Sequence, residues 1–258
     1  MGIIVNQNQD NISEFINKSE IKPTMAYQLG TRAEALRLAN LHKEAVGRYL
    51  NAILMDRTNP KYYYGLGVCY KNLSKTNKAI EAFEQAKRYR SFDFNIHYEL
   101  GVCNLLQGNV CDAMINLKDS LRLKPDNLNA QIQLAIAHEL IDEKDFALMI
   151  YQKIIETNKG YIKAYHHKSA LLMELGEYFE AGLVFNQILK LNPNFYKAYL
   201  GLGICFDKLG KYSSAVRYYK KFLSLKPFSD KTEFVNERLN TLKLNIGKRS
   251  LESNFKIV

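Results

Sequence analysis

The chain has no tryptophan and, across 258 residues, only five prolines and four cysteines. So few prolines, with the 14 glycines scattered, exclude collagen-like or linker-like material. Four cysteines in a chain of this length do not make a disulfide framework, and no C-x-x-C pair or His/Cys spacing suits a metal. No run of about 18 uncharged apolar residues occurs, so no membrane-spanning helix is expected. The opening Met1-Gly2-Ile3-Ile4-Val5-Asn6 lacks the basic n-region and long apolar core of a secretory signal. It also lacks the Ser or Thr that myristoylation needs at position 6. A cytoplasmic setting is the expectation. Acidic residues are short relative to basic ones, 26 against 36, which leaves a net charge of +10.

Motifs for chemistry are missing as well. There is no G-x-x-x-x-G-K-[ST] loop, no H-E-x-x-H and no G-x-S-x-G. The Gly-Leu-Gly sequences at 65–67 and 201–203 fall inside expected helices. His138 reads as a hydrogen-bonded core histidine, and His166-His167 lack a third ligand. The expectation is a non-catalytic protein with no cofactor, no metal and no small-molecule substrate.

A period of 34 residues is what the chain does have. Ala45, Ala79, Ala113, Ala147, Ala181 and Ala215 recur at that spacing without a slip. Twelve residues before each stands a small residue: Ala33, Gly67, Gly101, Ala135, Ser169 and Gly203. Four residues after each comes a large one: Tyr49, Phe83, Leu117, Tyr151, Phe185 and Tyr219. Cys69, Cys103 and Cys205 share one slot of this period and read as small core residues, whereas Cys111 falls near a helix start. Pro125, Pro193 and Pro227 close three of the units. A fixed period of this size marks a repeat architecture.

One unit, 196–229, shows the physics. Tyr199, Leu202, Gly203 and Phe206 form one stripe of a first helix, spaced i, i+3, i+4, i+7. Gly210 can take the positive φ that ends it. Ala215, Tyr219, Phe222 and Leu223 form the stripe of a second helix, and Pro227 stops that one. Neither helix can bury its stripe alone, so successive units must stack.

In period and in these small, alanine and aromatic positions the chain resembles the tetratricopeptide repeat family. The resemblance implies an all-α fold, an α-solenoid (a right-handed superhelix) of antiparallel helix pairs. Six units are expected, at 26–59, 60–93, 94–127, 128–161, 162–195 and 196–229. Residues 1–25 would form an N-terminal segment, with Asn11-Ile12-Ser13-Glu14 able to cap a short helix through Phe15 and Ile16. Residues 230–247 would form a C-terminal capping helix, and 248–258 a mobile tail. The fourth unit departs from the pattern: it has Gln131 and His138 where aromatics are usual, and Lys159-Gly160 where proline would stand.

The resemblance also implies a partner peptide or helix docked in a concave groove lined by the first helices. Helix geometry puts three sets of positions there. The second positions are Lys61, Asn95, Asn129, Lys163 and Lys197; the fifth are Tyr64, Tyr98, Ile132, His166 and Leu200. The ninth positions are Val68, Val102, Ile136, Ala170 and Ile204. Together they predict a long apolar strip beside a row of amides and ammoniums. The family's carboxylate-gripping pattern of Lys and Asn is absent, since the fifth and ninth positions of the first two units are Gly30, Glu34, Tyr64 and Val68. Rival readings are a secretion-type or assembly chaperone holding an amphipathic client, and self-assembly as a homo-oligomer. Nucleic-acid binding through basic surface in the second and sixth units is a third. Those units carry seven cations against three acids and seven against one, but an acidic middle interrupts any continuous track.

Overall fold

The computed structural model describes residues 25–255, with side chains through 243. The described residues hold thirteen helices in an all-α helical repeat solenoid. Helix α1 occupies 25–38. It is followed by α2 (His42–Met55), α3 (Pro60–Asn72), α4 (Thr76–Tyr89), α5 (Phe94–Gln107), α6 (Val110–Leu123) and α7 (Leu128–Leu140). Then come α8 (Lys144–Thr157), α9 (Ile162–Glu174), α10 (Tyr178–Leu191), α11 (Tyr196–Lys208), α12 (Tyr212–Leu225) and α13 (Thr232–Phe255). The chain divides into two compact units at Ile141/Asp142. That boundary lies between α7 and α8, inside the repeat whose sequence is most irregular.

Within each unit the 34-residue pattern becomes packing. All six period alanines are fully buried, and so are the six large residues that follow them. The small residue on the first helix of a pair explains how the second can come so close. A Cβ added to Gly67 would lie 2.7 Å from the Phe83 ring, one on Gly101 2.6 Å from Leu117 Cγ, and one on Gly203 2.5 Å from the Tyr219 ring. The large side chain therefore seats directly on bare backbone sixteen residues earlier. On its other side it meets the next first helix, where Gly65 receives Tyr49 and Gly201 receives Phe185. In the first unit this builds clusters around Tyr49, Leu66 and Cys69, and around Phe83, Ile96 and Leu100. In the second it builds those around Phe185 and Ile188, and around Tyr219 and Phe222.

Turns repeat as faithfully as cores. The residue after the first helix is left-handed at Asn40, Ser74, Gly108, Asp142, Gly176 and Gly210, again 34 apart, with φ between 57° and 81°. At Ser74 the amide bonds Lys71 O at 3.0 Å while Lys75 N bonds Tyr70 O at 2.9 Å. That pair of bonds, seen also at residues 40, 108, 176 and 210, satisfies the carbonyls a helix end leaves orphaned. The first helices of the next three pairs are capped by Asn59, Asp93 and Asn127, whose side chains accept from Lys61 N, Asn95 N and Ala130 N.

The two ends differ from the middle. In α3 the residues turned toward the preceding pair are Tyr62, Gly65, Leu66 and Cys69, all buried; the same positions of α1 are Gln28, Thr31, Arg32 and Ala35, all exposed. A polar outer face is what an end repeat requires. At the other end Val235, Leu239 and Leu242 of α13 are buried against Tyr219 and Phe222. This helix runs eight residues past the expected end at 247, into the segment expected to be a mobile tail. Gly247 has no proline or further glycine beside it, and a lone glycine is tolerated within a helix. The short helix expected around Phe15 lies outside the described residues. Cys69, Cys103 and Cys205 are buried and free, while Cys111 is exposed. Burial pushes the three buried thiols up to about 11, 11 and 12, so they act as packing.

Two stability experiments follow from this geometry. Gly67→Ala should cost about 1–2 kcal/mol, the price of overpacking against the Phe83 ring. The slot holds Ala33 and Ser169 elsewhere, so one helix pair must adjust but the fold survives. Gly47→Ala, with nothing within 4 Å of the added carbon, should instead gain up to about 1 kcal/mol of helix propensity. Equal shifts in urea midpoint for the two variants would contradict the seating. Separately, Ser74→Gly should raise stability by about 1 kcal/mol, because glycine takes the same left-handed conformation without the penalty of a Cβ.

Candidate functional site

The first compact unit contains a cavity of about 520 Å³ walled by the first helices α1 and α3, with Tyr49, Arg90, Asp93 and Ile96 completing it. Tyr27, 69 % exposed, stands at its rim with Lys61. Gly30 lets the buried Tyr62 ring close against α1, since any side chain there would collide with that ring. On the floor the Glu34 carboxylate is gripped three times. Arg37 Nε donates to Oε2 at 2.8 Å, its Nη2 donates to Oε1, and the Tyr49 hydroxyl donates to Oε2 at 2.6 Å. The Arg37 bonds are the chief reason the Glu34 carboxyl is held below its usual range. The same contact raises Arg37, and burial raises the Tyr49 hydroxyl. Asp93, the cap of α5, holds Arg90 at 3.4 Å on the opposite side.

Tyr64 is half-buried between this cluster and a second ion pair, Lys71 Nζ to Glu99 Oε2 at 2.5 Å, which ties α3 to α5. Burial, then the nearby Glu99 charge, pushes the Tyr64 hydroxyl up to about 12. The buried hydroxyls of Tyr49 and Tyr64 are thus neutral hydrogen-bonding groups at physiological pH.

The sequence-predicted residues separate into three groups. Lys61, Asn95, Asn129, Lys163 and Lys197 are exposed at the starts of their helices. Tyr64, Tyr98, Val102, Ile136, His166, Leu200 and Ile204 are half-buried. Val68 and Ile132, only 8 % and 4 % exposed, belong to the core instead. Val68 packs with Phe83, Ile96 and Leu100, so the solvent-facing strip expected of these positions is interrupted. Leu200 and Ile204 back onto the Tyr219 cluster. His166 lies edge-on to Phe195 at 6.0 Å, and burial lowers both His166 and His167, which keeps them neutral. Among the described residues no three His, Cys, Asp or Glu side chains gather as a metal site, and no helix is long and apolar enough to cross a membrane.

Sequence reasoning missed Glu34, Arg37, Lys71 and Glu99. The signal was present: Glu34 and Arg37 occupy the ninth and twelfth positions of the first unit, a unit whose groove positions the apolar pattern left aside. In the second compact unit an analogous grip occurs. Asp207 accepts from Arg238 Nε at 2.5 Å and Nη2 at 2.8 Å, with the Tyr219 hydroxyl at 3.4 Å. There it clamps α13 to α11.

Comparison with known proteins accounts for this architecture. A family model described as the protein kinase G tetratricopeptide repeat matches residues 70–205, more than half of the chain. A general tetratricopeptide repeat model matches 196–229. The chain belongs to the tetratricopeptide repeat family. Among curated proteins it is similar to the BBSome complex member BBS4 of Mus musculus, 27 % identical over 130 residues. That match covers 50 % of this chain and 25 % of the mouse protein, so the chain spans about a quarter of the relative it matches. Among solved structures it is similar to MamA, with a TM-score of 0.56 and 25 % identity over 63 % of this chain and 95 % of that one. PilF of Pseudomonas aeruginosa shares the fold, with a TM-score of 0.67 at 14 % identity over 84 % and 99 % of the two chains. A tetratricopeptide array with such neighbours is supported as a protein–protein interaction scaffold. Its relatives in the family are in general non-catalytic.

The Glu34 cluster makes a pH-dependent contribution of known sign. Its carboxyl is lowered in the fold, so the folded state binds this proton less readily than the unfolded chain. The stabilisation is complete above the unfolded value of about 4.3 and disappears as pH falls through the lowered folded value. Glu34 is 45 % exposed, so screening keeps the effect small. Glu34→Gln should therefore cost at most about 1 kcal/mol at pH 7, and the deficit should shrink as pH falls below the unfolded carboxyl value, measured as paired urea midpoints. A deficit that stays constant with pH would mean that packing, not charge, holds the cluster.

Proposed function

We propose that this chain is a non-catalytic scaffold that docks a partner segment against the first helices of its repeats, and that the cavity beside Glu34 is its anchoring site. The reading divides the array into six units over 26–229 followed by a capping helix. Its chief support is the contrast between cavity and core. Most large side chains of the repeat pattern are buried, yet Tyr27 and Lys61 stand exposed over a 520 Å³ hollow. A preformed hollow with aromatic walls and a few fixed polar groups is the usual form of a binding site. The half-buried Tyr64 ring in the lining gives an apolar side chain a surface to pack on. The exposed amides of Asn95 and Asn129 offer backbone hydrogen bonds further along the same compact unit, beside Tyr98, Val102 and Ile136. In the second compact unit Lys163, His166, Lys197, Leu200 and Ile204 offer a separate surface of the same kind. The mouse relative is a member of a complex, which suits a chain that works by association.

A cytoplasmic setting belongs to the same proposal, since three buried thiols in a scaffold without disulfides suit a reducing compartment. The glutamate held by Arg37 and Tyr49 is already satisfied, so the groups left for a ligand are the Tyr27 and Tyr64 rings and the Lys61 ammonium. A segment with an apolar or aromatic side chain next to an acidic one fits them.

A displayed random-peptide library panned on the protein tests this directly. Selected peptides should bind with Kd in the micromolar range, typical of a short segment ordered on binding. Tyr27→Ala combined with Lys61→Ala should weaken them at least tenfold with thermal unfolding unchanged, because both side chains are exposed. Peptides that bind the double variant as tightly as the parent would place the docking surface elsewhere.

A further inference from the structure

We propose that the outer face of α12 docks on an anionic lipid surface. Ser213, Arg217, Lys220, Lys221 and Ser224 recur at i, i+4, i+7, i+8 and i+11, which places them on one face of that helix, and all five are exposed. The helix, Tyr212–Leu225, contains no acidic residue at all. Among the described residues none of its three cations forms an ion pair; the Arg217 guanidinium instead lies over the Tyr218 ring at 5.1 Å. The other second helices of this compact unit carry acids, Asp145 and Glu156 on α8 and Glu180 on α10. A generic solubilising surface would mix signs in the same way. This one does not.

A second observation selects the kind of anion. Phe228, three residues past the end of α12, is 89 % exposed; the exposed Lys226 precedes it by two residues, while Lys231 on its other side is paired with Asp230 at 3.4 Å. A phenylalanine held in water beside a cationic face gains by entering the apolar boundary of a bilayer, while the ammoniums remain among the headgroups. Nucleic acid fits less well. A single-strand binder needs a groove with successive aromatic platforms, and here one ring stands at the end of a helix face. A lipid surface requires only charge density and a side chain that can insert.

Sedimentation with vesicles of phosphatidylcholine alone, or with about a third phosphatidylserine, tests the assignment. The wild type should pellet with the anionic vesicles only, and less as salt rises from about 0.1 to 0.5 M. Arg217→Gln with Lys220→Gln and Lys221→Gln should lower partitioning about a hundredfold, taking a factor of about five per cation at the surface. Phe228→Ser alone should lower it about tenfold. Lys75→Gln with Lys78→Gln and Arg88→Gln removes the same net charge from α4 and the residue before it and should retain most of the binding. All these positions are exposed, and unchanged thermal unfolding confirms that the variants are folded. Equal loss in both triple variants would show net charge rather than this face at work, and overturn the proposal. So would a wild type that ignores vesicles, including one that instead retains a labelled single-stranded oligonucleotide which the α12 variant releases.

Discussion

How closely two helices can approach depends on what stands between them, and here that is one large side chain on bare backbone. Phe83 over Gly67, Leu117 over Gly101 and Tyr219 over Gly203 are versions of a single contact. The contact fixes separation, and through the second seat on the next first helix it also fixes where the following pair must lie. Tyr49 touches both neighbours because Gly65 leaves room for it. A repeat protein is held together almost wholly by nearest-neighbour terms. One contact used at a constant spacing is then enough to propagate order through each compact unit. It also explains why the alanine twelve residues after the small position tolerates no exposure: a larger side chain there would part the helices and unseat the ring.

The left-handed residue after each first helix is the partner of that contact. It reverses the chain within three residues and so sets the direction from which the ring arrives. Glycine takes this conformation without cost, yet Asn40, Ser74 and Asp142 adopt it as well. At Ser74 the two backbone bonds that close the helix end are intact. Packing that over-determines a turn can carry a local strain of this size, which is why the turn sequence varies while its geometry does not.

This division of labour explains what could be read from the sequence. Position-specific size was legible, because a small residue, an alanine and a large residue at fixed offsets leave few other packings. So were the buried cysteines, which share a slot of the period. The left-handed turn was legible only at glycine; at Ser74 nothing in the residue type announces it. The groove was legible only in part. Lys61, Asn95 and Asn129 are exposed as helix geometry requires, but Val68 and Ile132 are drawn into the core. Whether a ninth- or fifth-position side chain faces solvent depends on the angle between successive first helices. Residue spacing within one helix does not contain that angle. Glu34 and Arg37 were overlooked for a related reason: an apolar periodicity is blind to a carboxylate whose partners come from one turn away and from the facing helix.

Polar contacts in this molecule serve a different purpose from the apolar ones. The rings decide how helices stack and are the same in kind from pair to pair, so by themselves they specify neither an end nor a particular surface. The ion clusters are individual. Glu34 with Arg37 and Tyr49 sits in the first pair, whose outer side is polar at Gln28, Thr31 and Arg32. Asp207 with Arg238 and Tyr219 joins the last pair to α13. Both place a carboxylate against the hydroxyl of the period tyrosine, the one atom of that side chain the apolar core cannot satisfy. Between them the same slot holds Phe83, Leu117, Tyr151 and Phe185, of which only Tyr151 has a hydroxyl. A tyrosine in this slot needs a polar acceptor for its hydroxyl, and at Tyr49 and Tyr219 a carboxylate supplies it. The same arrangement leaves aromatic and charged groups together at the end of the array, which is where the cavity opens.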